Sequence, residues 1–367
     1  MRDVMTGSGK ELSLPAQIGV ALVRLSVSIA IPLLTFLVLW GGFVFLRDSG
    51  ASQLVITSVA VFWGIGGVVC LYWTAYWFLT RIPKKWRPKV EPYLFIGPAV
   101  VALAWFITIP VFRTGYFSFF DRYSENWVGL RNFAYIFTHR TMLIAWRNNV
   151  IWLVFGTGFS VLFGFIIAYV ADRSRWEVYA KALIFMPMAI SMVGASIIWR
   201  FVYALNPDIG LLNAIVTAFG GTETNWLIVR PWNNFFLITV FIWGQTGFAM
   251  IVLSTAIKGV PVELLEASRV DGANNWVQVT SIVIPYIKST IMTVSTAIII
   301  ASLKTFDVVF TMTQGMDGTE VLASQQYKQM FTYFNYGRGA AIALIILLAV
   351  IPVVVYNVLQ FRKRGDI

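Results

Sequence analysis

Eight apolar runs, each close to or above the about 20 residues a helix needs to cross a bilayer core, leave this chain little choice of fold. They lie at roughly 22–46, 53–80, 94–112, 148–171, 182–204, 235–257, 286–312 and 338–360. Only 12% of the 367 residues are charged and 58% are hydrophobic, whereas soluble domains carry about 25% charged residues. The expected fold class is therefore all-α, a polytopic membrane protein of about eight transmembrane helices. The net charge of +11 does not point to nucleic acid, because no basic stripe with interleaved aromatics stands outside the apolar runs. Cys70 is the only cysteine and His139 the only histidine. An intrachain disulfide is thus impossible, and His/Cys zinc sites and Ser-His catalysis are excluded unless another chain contributes.

An even number of spans puts both termini on one side, and basic residues choose which. Cytoplasmic termini gather sixteen Lys and Arg on the cytoplasmic face and leave nine on the other, with Arg200, Lys288 and Lys304 inside spans. The cluster RIPKKWRPK at 81–89 is the strongest vote. Both termini are therefore expected in the cytoplasm. The first residues, MRDVMTGSGKELSLPAQ, are polar. Gly9-Lys10 glances at a phosphate loop, but Glu11 stands where Ser or Thr must bind magnesium and Val4 where the first glycine belongs. Nor does the segment read as a cleaved signal peptide, since no small-residue cleavage site closes the long apolar run after Pro15.

The polar interruption Lys258–Ser289, KGVPVELLEASRVDGANNWVQVTSIVIPYIKS, lies between two apolar runs. It holds Glu263, Glu266, Arg269, Asp271, Asn274, Asn275 and Gln278, a density no hydrocarbon core accepts. Its grammar predicts two short helices. Pro261 suits the first turn of one, Gly272 can end it in the left-handed conformation, and Asn274 or Asn275 can cap the next. That second helix should kink or stop before Pro285. An ordered helix–turn–helix here is more than a connection needs, and it reads as a docking surface.

These residues carry a resemblance. Glu266-Ala267-Ser268, Asp271-Gly272-Ala273 and Ile284-Pro285 resemble the cytoplasmic "EAA" loop of binding-protein-dependent ABC importer permeases, with Ser268 in place of the second alanine. Val260-Pro261-Val262-Glu263-Leu264 fits the sugar-transporting branch, and the likeness runs from residue 92 to 364. An eight-span count with an N-terminal pair resembles the first permease subunit of the maltose system, without the large domain after its third span. The expected division is 1–91, a tail with an accessory helix pair and basic linker, and 92–367, a six-helix permease core with a coupling loop at 258–285.

The resemblance implies that Glu266, with Ala267, Ser268, Asp271, Gly272, Ala273 and Pro285, serves coupling to a nucleotide-binding subunit. Glu266 would meet basic groups there, Gly272 would set the turn, and Asp271 would cap or salt-bridge it. Within the membrane, Lys304 lies inside span seven with Asp307 three residues on, expected on the same helical face. A charge at that depth costs about 2.5–3.5 kcal/mol on insertion scales, which argues for facing a cavity or partner helix. Ser302, Thr305 and Phe306 lie nearby, a mixture of hydroxyls and ring that suits a sugar. In the maltose-type family this helix contributes to the sugar site, at positions matching Ser302, Thr305 and Asp307. Gln245 and Phe248 in span six match sugar-contacting positions too, although the residue types differ. A helix-packing role stands beside substrate contact, for the Lys304–Asp307 pair and for Gln245 alike.

The function implied is alternating access without chemistry in this chain, which is not itself an enzyme. No cofactor is expected here, since ATP and magnesium would be held by a partner ATPase. The partners implied are a second homologous permease, an ATP-binding-cassette ATPase dimer, an extracytoplasmic sugar-binding protein and membrane lipid. The site would be the bacterial cytoplasmic membrane. A competing reading is an ion- or proton-coupled secondary transporter using Lys304 and Asp307, which predicts inverted repeats that the sequence does not display. A membrane-embedded transferase would want clustered His, Asp or Glu at a membrane boundary. The stretch TMTQGMDGTEVLASQQYKQMF looks like the α-glucoside-type branch, which favours a disaccharide or glucoside over a monosaccharide.

Overall fold

The computed structural model describes residues 14–362; the polar segment 1–13 and its phosphate-loop-like glycines lie outside the described residues. Among the described residues the regular structure is helical, and one isolated bridge joins Phe120 to Trp127. Six helical stretches are long and apolar enough to span a membrane: Ile29–Asp48, Gln53–Arg81, Arg87–Phe117, Arg140–Ala171, Asn233–Lys258 and Tyr336–Gln360. Two bent pairs, Glu177–Ala189 with Met192–Val202 and Asn275–Tyr286 with Lys288–Leu303, bring the count to eight. The chain divides into two compact units at Pro110, a point inside the stretch Arg87–Phe117.

In the first unit, α1 (Leu14–Asp48) and α2 (Gln53–Arg81) are joined by a short turn. Thr35 donates to the Ile31 carbonyl at 2.9 Å, so its hydroxyl accepts from Thr74 across the helix pair at 2.8 Å. In hydrocarbon a hydroxyl must find such a partner within the protein. Around this one polar contact the outward faces present large apolar side chains, among them Leu54, Phe62 and Ile65, as lipid-facing helices do.

The second unit is built around α9 (Asn233–Lys258), more than half of whose most apolar window is buried. The elements preceding it are the end of α3 (Arg87–Phe117), whose residues through Pro110 belong to the first unit, then α4 (Arg131–Thr138), α5 (Arg140–Ala171), α6 (Glu177–Phe185), α7 (Met192–Val202) and α8 (Leu211–Ala218). Helix α5 lies along α9, with Trp152 edge-on to Phe241 at 5.6 Å and Ala168, Met250 and Leu253 in the shared core. After α9 come α10 (Val262–Val270), α11 (Asn275–Tyr286), α12 (Lys288–Leu303), α13 (Asp307–Thr313), α14 (Leu322–Tyr327) and α15 (Tyr336–Arg362).

Spans five and seven depart from the straight helices that their hydropathy predicts. Span five turns by 104° after a tight turn at Met186–Ala189 that carries Pro187. There Ser191 caps α7 by accepting from the Gly194 N–H at 3.1 Å. Span seven bends by 71° at Ile287 rather than stopping before Pro285. A wide turn at Val279–Val283 precedes the proline, and in it the Ile284 N–H reaches back to Val279 O. Such a turn shifts the hydrogen-bond ladder, so the helix accommodates a residue without an N–H and bends beyond it.

Candidate functional site

Helix α10 starts after Pro261, which sits at the cap position rather than in the first turn, and Glu263 occupies that first turn. It ends as expected at Gly272, whose φ of 82° belongs to the left-handed region. The Gly272 N–H bonds Arg269 O at 3.0 Å and the Ala273 N–H bonds Ser268 O at 2.9 Å, a Schellman closure. Asn274 then caps α11 by accepting from the Val277 N–H at 2.9 Å. One contact was not foreseen. Gln278 is buried, and its Nε2 donates to Ser268 Oγ at 3.0 Å and to Leu265 O at 3.2 Å. The serine that replaces the motif's second alanine thus faces inward and locks α10 to α11. Glu266, Ala267, Asp271 and Trp276 remain exposed, Trp276 at 74% and neighbouring Val270 at 89%. An exposed acid beside two unburied large apolar side chains is the composition of a docking face.

The root of this loop is tied to the rest of the unit by charges that sequence reasoning left apart. Asp172, just beyond α5, accepts Lys181 Nζ of α6 at 2.5 Å and Ser254 Oγ of α9 at 2.7 Å. Lys181 also pairs with Glu177 at 2.6 Å, and Glu177 with Lys258, the last residue of α9. The Asp172 and Lys181 side chains are only 6% and 14% exposed, so that pair is largely dehydrated, while Glu177 and Lys258 carry the cluster out to solvent. The signal was the i, i+4 spacing of Glu177–Lys181 and Ser254–Lys258, legible only once the two helices are known to meet.

At the other end of α12, the stretch expected to be one helix through residue 312 breaks. Helix α12 stops at Leu303, Lys304 is its C-cap, and α13 begins at Asp307. Lys304 and Asp307 therefore do not share a helical face, and no ion pair joins them; both are exposed. Each sits where a helix dipole favours its charge: the cation at a C-terminus, the anion at an N-terminus. The break is what makes two charges tolerable there. Ser302 and Thr305 are buried, and Ser302 Oγ has no hydrogen-bond partner among the described residues. Phe306 stacks on Phe310 at 4.9 Å and meets Tyr327 at 5.1 Å. Helix α9 packs against both α12 and α13, and on it Gln245 and Phe248 are half-buried. The Gln245 side chain makes no hydrogen bond among the described residues. Gly247 beside it is used for packing, since a Cβ there would lie 2.7 Å from Ile184 O.

Four asparagines fix the segment between α13 and α14. Asn148 Nδ2 donates to Gly318 O and Glu320 O, both at 2.7 Å. Asn149 Oδ1 accepts the Leu322 N–H at 2.8 Å. Asn233 and Asn234 donate to Asp317 O and Gly318 O at 3.0 and 3.4 Å. These amides satisfy a turn with left-handed residues at Gln314, Gly315, Asp317 and Gly318, whose carbonyls helix geometry cannot serve.

Against known proteins, the family model described as "Binding-protein-dependent transport system inner membrane component" matches residues 160–364, more than half the chain. The chain belongs to this family. The match takes in the loop 258–285, the broken span seven and all of α15. The osmoprotective compounds uptake permease protein GgtC of Synechocystis sp. is 51% identical over 275 residues, 74% of this chain and 99% of the relative. The alpha-glucoside transport system permease protein AglF of Rhizobium meliloti is 44% identical over 282 residues, 76% of this chain and 84% of the relative. Among solved structures, a chain of a bacterial alginate ABC transporter, crystallised with an alginate-bound periplasmic protein, shares the fold. Its TM-score is 0.66 at 20% identity, covering 77% of this chain and 98% of that one. The protein is a multi-pass permease subunit of an ABC importer.

Proposed function

We propose that this permease carries an α-glucoside or a related small neutral glycoside, delivered by an extracytoplasmic binding protein and driven by a separate ATPase pair. The alpha-glucoside in the name of AglF supports the substrate class, and the osmoprotective compounds in the name of GgtC are compatible with small neutral solutes. The observation that carries the mechanism is the continuity of the chain. The locked helix pair α10–α11 is joined directly to α9 at one end and to α12 at the other, and the candidate residues lie on α9 and at the break after α12. A push on the loop therefore moves the helices bearing Gln245, Phe248, Ser302 and Thr305 as one lever.

In this reading the ATPase dimer, which holds ATP and magnesium, closes on α10 and opens the path outward to receive the sugar. Separation after hydrolysis reopens it inward. Glu266, with Val270 and Trp276 beside it, meets the ATPase. Asp271, Gly272 and Ala273 shape the turn, and Pro285 sits where α11 enters the membrane. A second, homologous permease closes the path from the other side, residues 92–367 form the transporting core, and both termini face the cytoplasm with the coupling loop. The Ser302 hydroxyl, buried and without a hydrogen-bond partner among the described residues, would meet substrate only once the path opens.

Glu266→Lys in the assembled transporter tests this. It should leave the subunit in the membrane and abolish binding-protein-stimulated ATPase activity and ATP-driven uptake of maltose, trehalose or sucrose in proteoliposomes. Uptake at the wild-type rate would refute the coupling role, and failure of the wild-type complex to import any of the three would refute the substrate class.

A further inference from the structure

Away from the broken span and the coupling loop, a polar recess of about 530 Å³ opens between α4 and the segment that runs from α13 to α15. It lies at the ends of the spans opposite the coupling loop, since α13 comes after span seven's far end. Its volume falls in the range of small-molecule sites, about 300–1,000 Å³. Gln325 and Gln329 form its buried wall, only 2% and 4% exposed. Gln329 Nε2 donates to the Tyr135 hydroxyl at 3.2 Å. The Gln325 side chain makes no hydrogen bond among the described residues, and Gln325 lines the recess. An amide buried to that degree, and left without a protein partner, is a group waiting for a ligand.

The rest of the lining says what kind. Glu320, Thr141, Thr332 and Asn335 add acceptors and hydroxyls, and Tyr333 leaves an exposed ring at the rim. Arg338 lies over the Tyr135 ring at 4.0 Å, and His139 stacks on that ring at 4.5 Å, so Tyr135 offers its hydroxyl rather than a face. Arg122 donates to Tyr333 O at 2.6 Å, and Glu320 pairs with Lys328 at 3.2 Å. Glu320 is thus neutralised by Lys328, while the guanidiniums of Arg122 and Arg338 meet a carbonyl and a ring face. The amides and hydroxyls beside them both donate and accept, the complement of a polyhydroxylated molecule.

We infer that this recess is a second binding site, on the face opposite the coupling loop, for a neutral polyol or small glycoside. It is separate from the path at Gln245 and Ser302. It rests on the proposed substrate class only in that the same hydroxyl chemistry serves both. Gln325 would bind a vicinal hydroxyl pair through both amide atoms, Glu320 would accept a further hydroxyl, and Tyr333 would cover a C–H face.

Saturation-transfer NMR on the detergent-solubilised complex, with maltose, trehalose, sucrose and glycerol as probes, tests the site without requiring transport. Two variants address it from different sides. Gln325→Leu removes the unpaired amide and breaks no hydrogen bond, and Thr332→Trp fills the recess from its exposed rim, where folding is not at stake. The wild type should show transfer to at least one probe, and both variants should weaken it about tenfold, as expected for losing a buried hydrogen-bonding group. Transfer undiminished in both variants, or absent from the wild type for all four probes, would overturn the inference. ATP-driven uptake measured alongside separates the two ideas. Uptake without recess binding removes this site and leaves the proposed function standing, whereas recess binding without uptake does the reverse.

Discussion

At the scale of single residues, the side chains that matter most for stability are those whose polar groups are buried and paired. Lys181 is the centre of the cluster at the root of the coupling loop, with Asp172 almost fully enclosed beside it. Removing one partner of a buried ion pair strands the other, at about 3–5 kcal/mol. Lys181→Met should therefore lower the unfolding temperature of the purified complex clearly, and adding Asp172→Asn should recover most of the loss. Equal damage from the single and double variants would show that the pair does not act as a unit. Asp121 makes the opposite kind of case. Asn126 Nδ2 and then the Glu125 N–H, donating to its carboxylate, hold its pKa below the ordinary carboxylate range. A depressed folded value contributes stability above the unfolded pKa of about 3.9, and that stability is lost as pH falls through the folded value. The protection of the Glu125 amide relative to its intrinsic exchange rate should accordingly fall as pH drops below about 4.

At the scale of elements, hydropathy and punctuation disclosed more than contacts did. All eight spans and the helix–turn–helix at Lys258–Ser289 are legible because apolar run length and the Gly272 and Asn274 signals are local properties. The break at Lys304–Phe306 was not, because the apolar pattern runs straight across it. Its cause is tertiary, with Asn149 Nδ2 of α5 reaching Leu303 O at 3.4 Å and the asparagine-held turn anchoring the far end of α13. For the same reason Gln325 escaped notice, since nothing in its neighbours in sequence announces a recess built from α4. The asparagine clamp yields a test of its own. Asn148→Leu orphans the Glu320 carbonyl and leaves the Gly318 carbonyl only the 3.4 Å contact from Asn234, an orphaned group costing about 1–3 kcal/mol. Hydrogen exchange across residues 314–322 should rise sharply while α10 and α11 keep wild-type protection. Unchanged exchange would mean that the turn holds itself.

At the scale of the whole molecule, the proposed coupling requires that a displacement at α10 reach the break after α12, two regions at opposite ends of span seven. A compliant link would dissipate it. The link here is stiffened at two places, by Gln278 bridging Ser268 and Leu265 within the loop and by the Asp172–Lys181–Glu177–Lys258 cluster at its root. Neither group belongs to the exposed face formed by Glu266, Val270 and Trp276. Docking and transmission are therefore separable by mutation, which a simple adhesive loop would not allow. Gln278→Ala keeps the docking face and removes the lock between α10 and α11. The ATPase should still copurify with the variant and hydrolyse ATP, while sugar imported per ATP falls several-fold in proteoliposomes. A variant that loses the ATPase would place Gln278 in docking instead, and one that imports as much sugar per ATP as the wild type would show that the loop needs no internal stiffness to work.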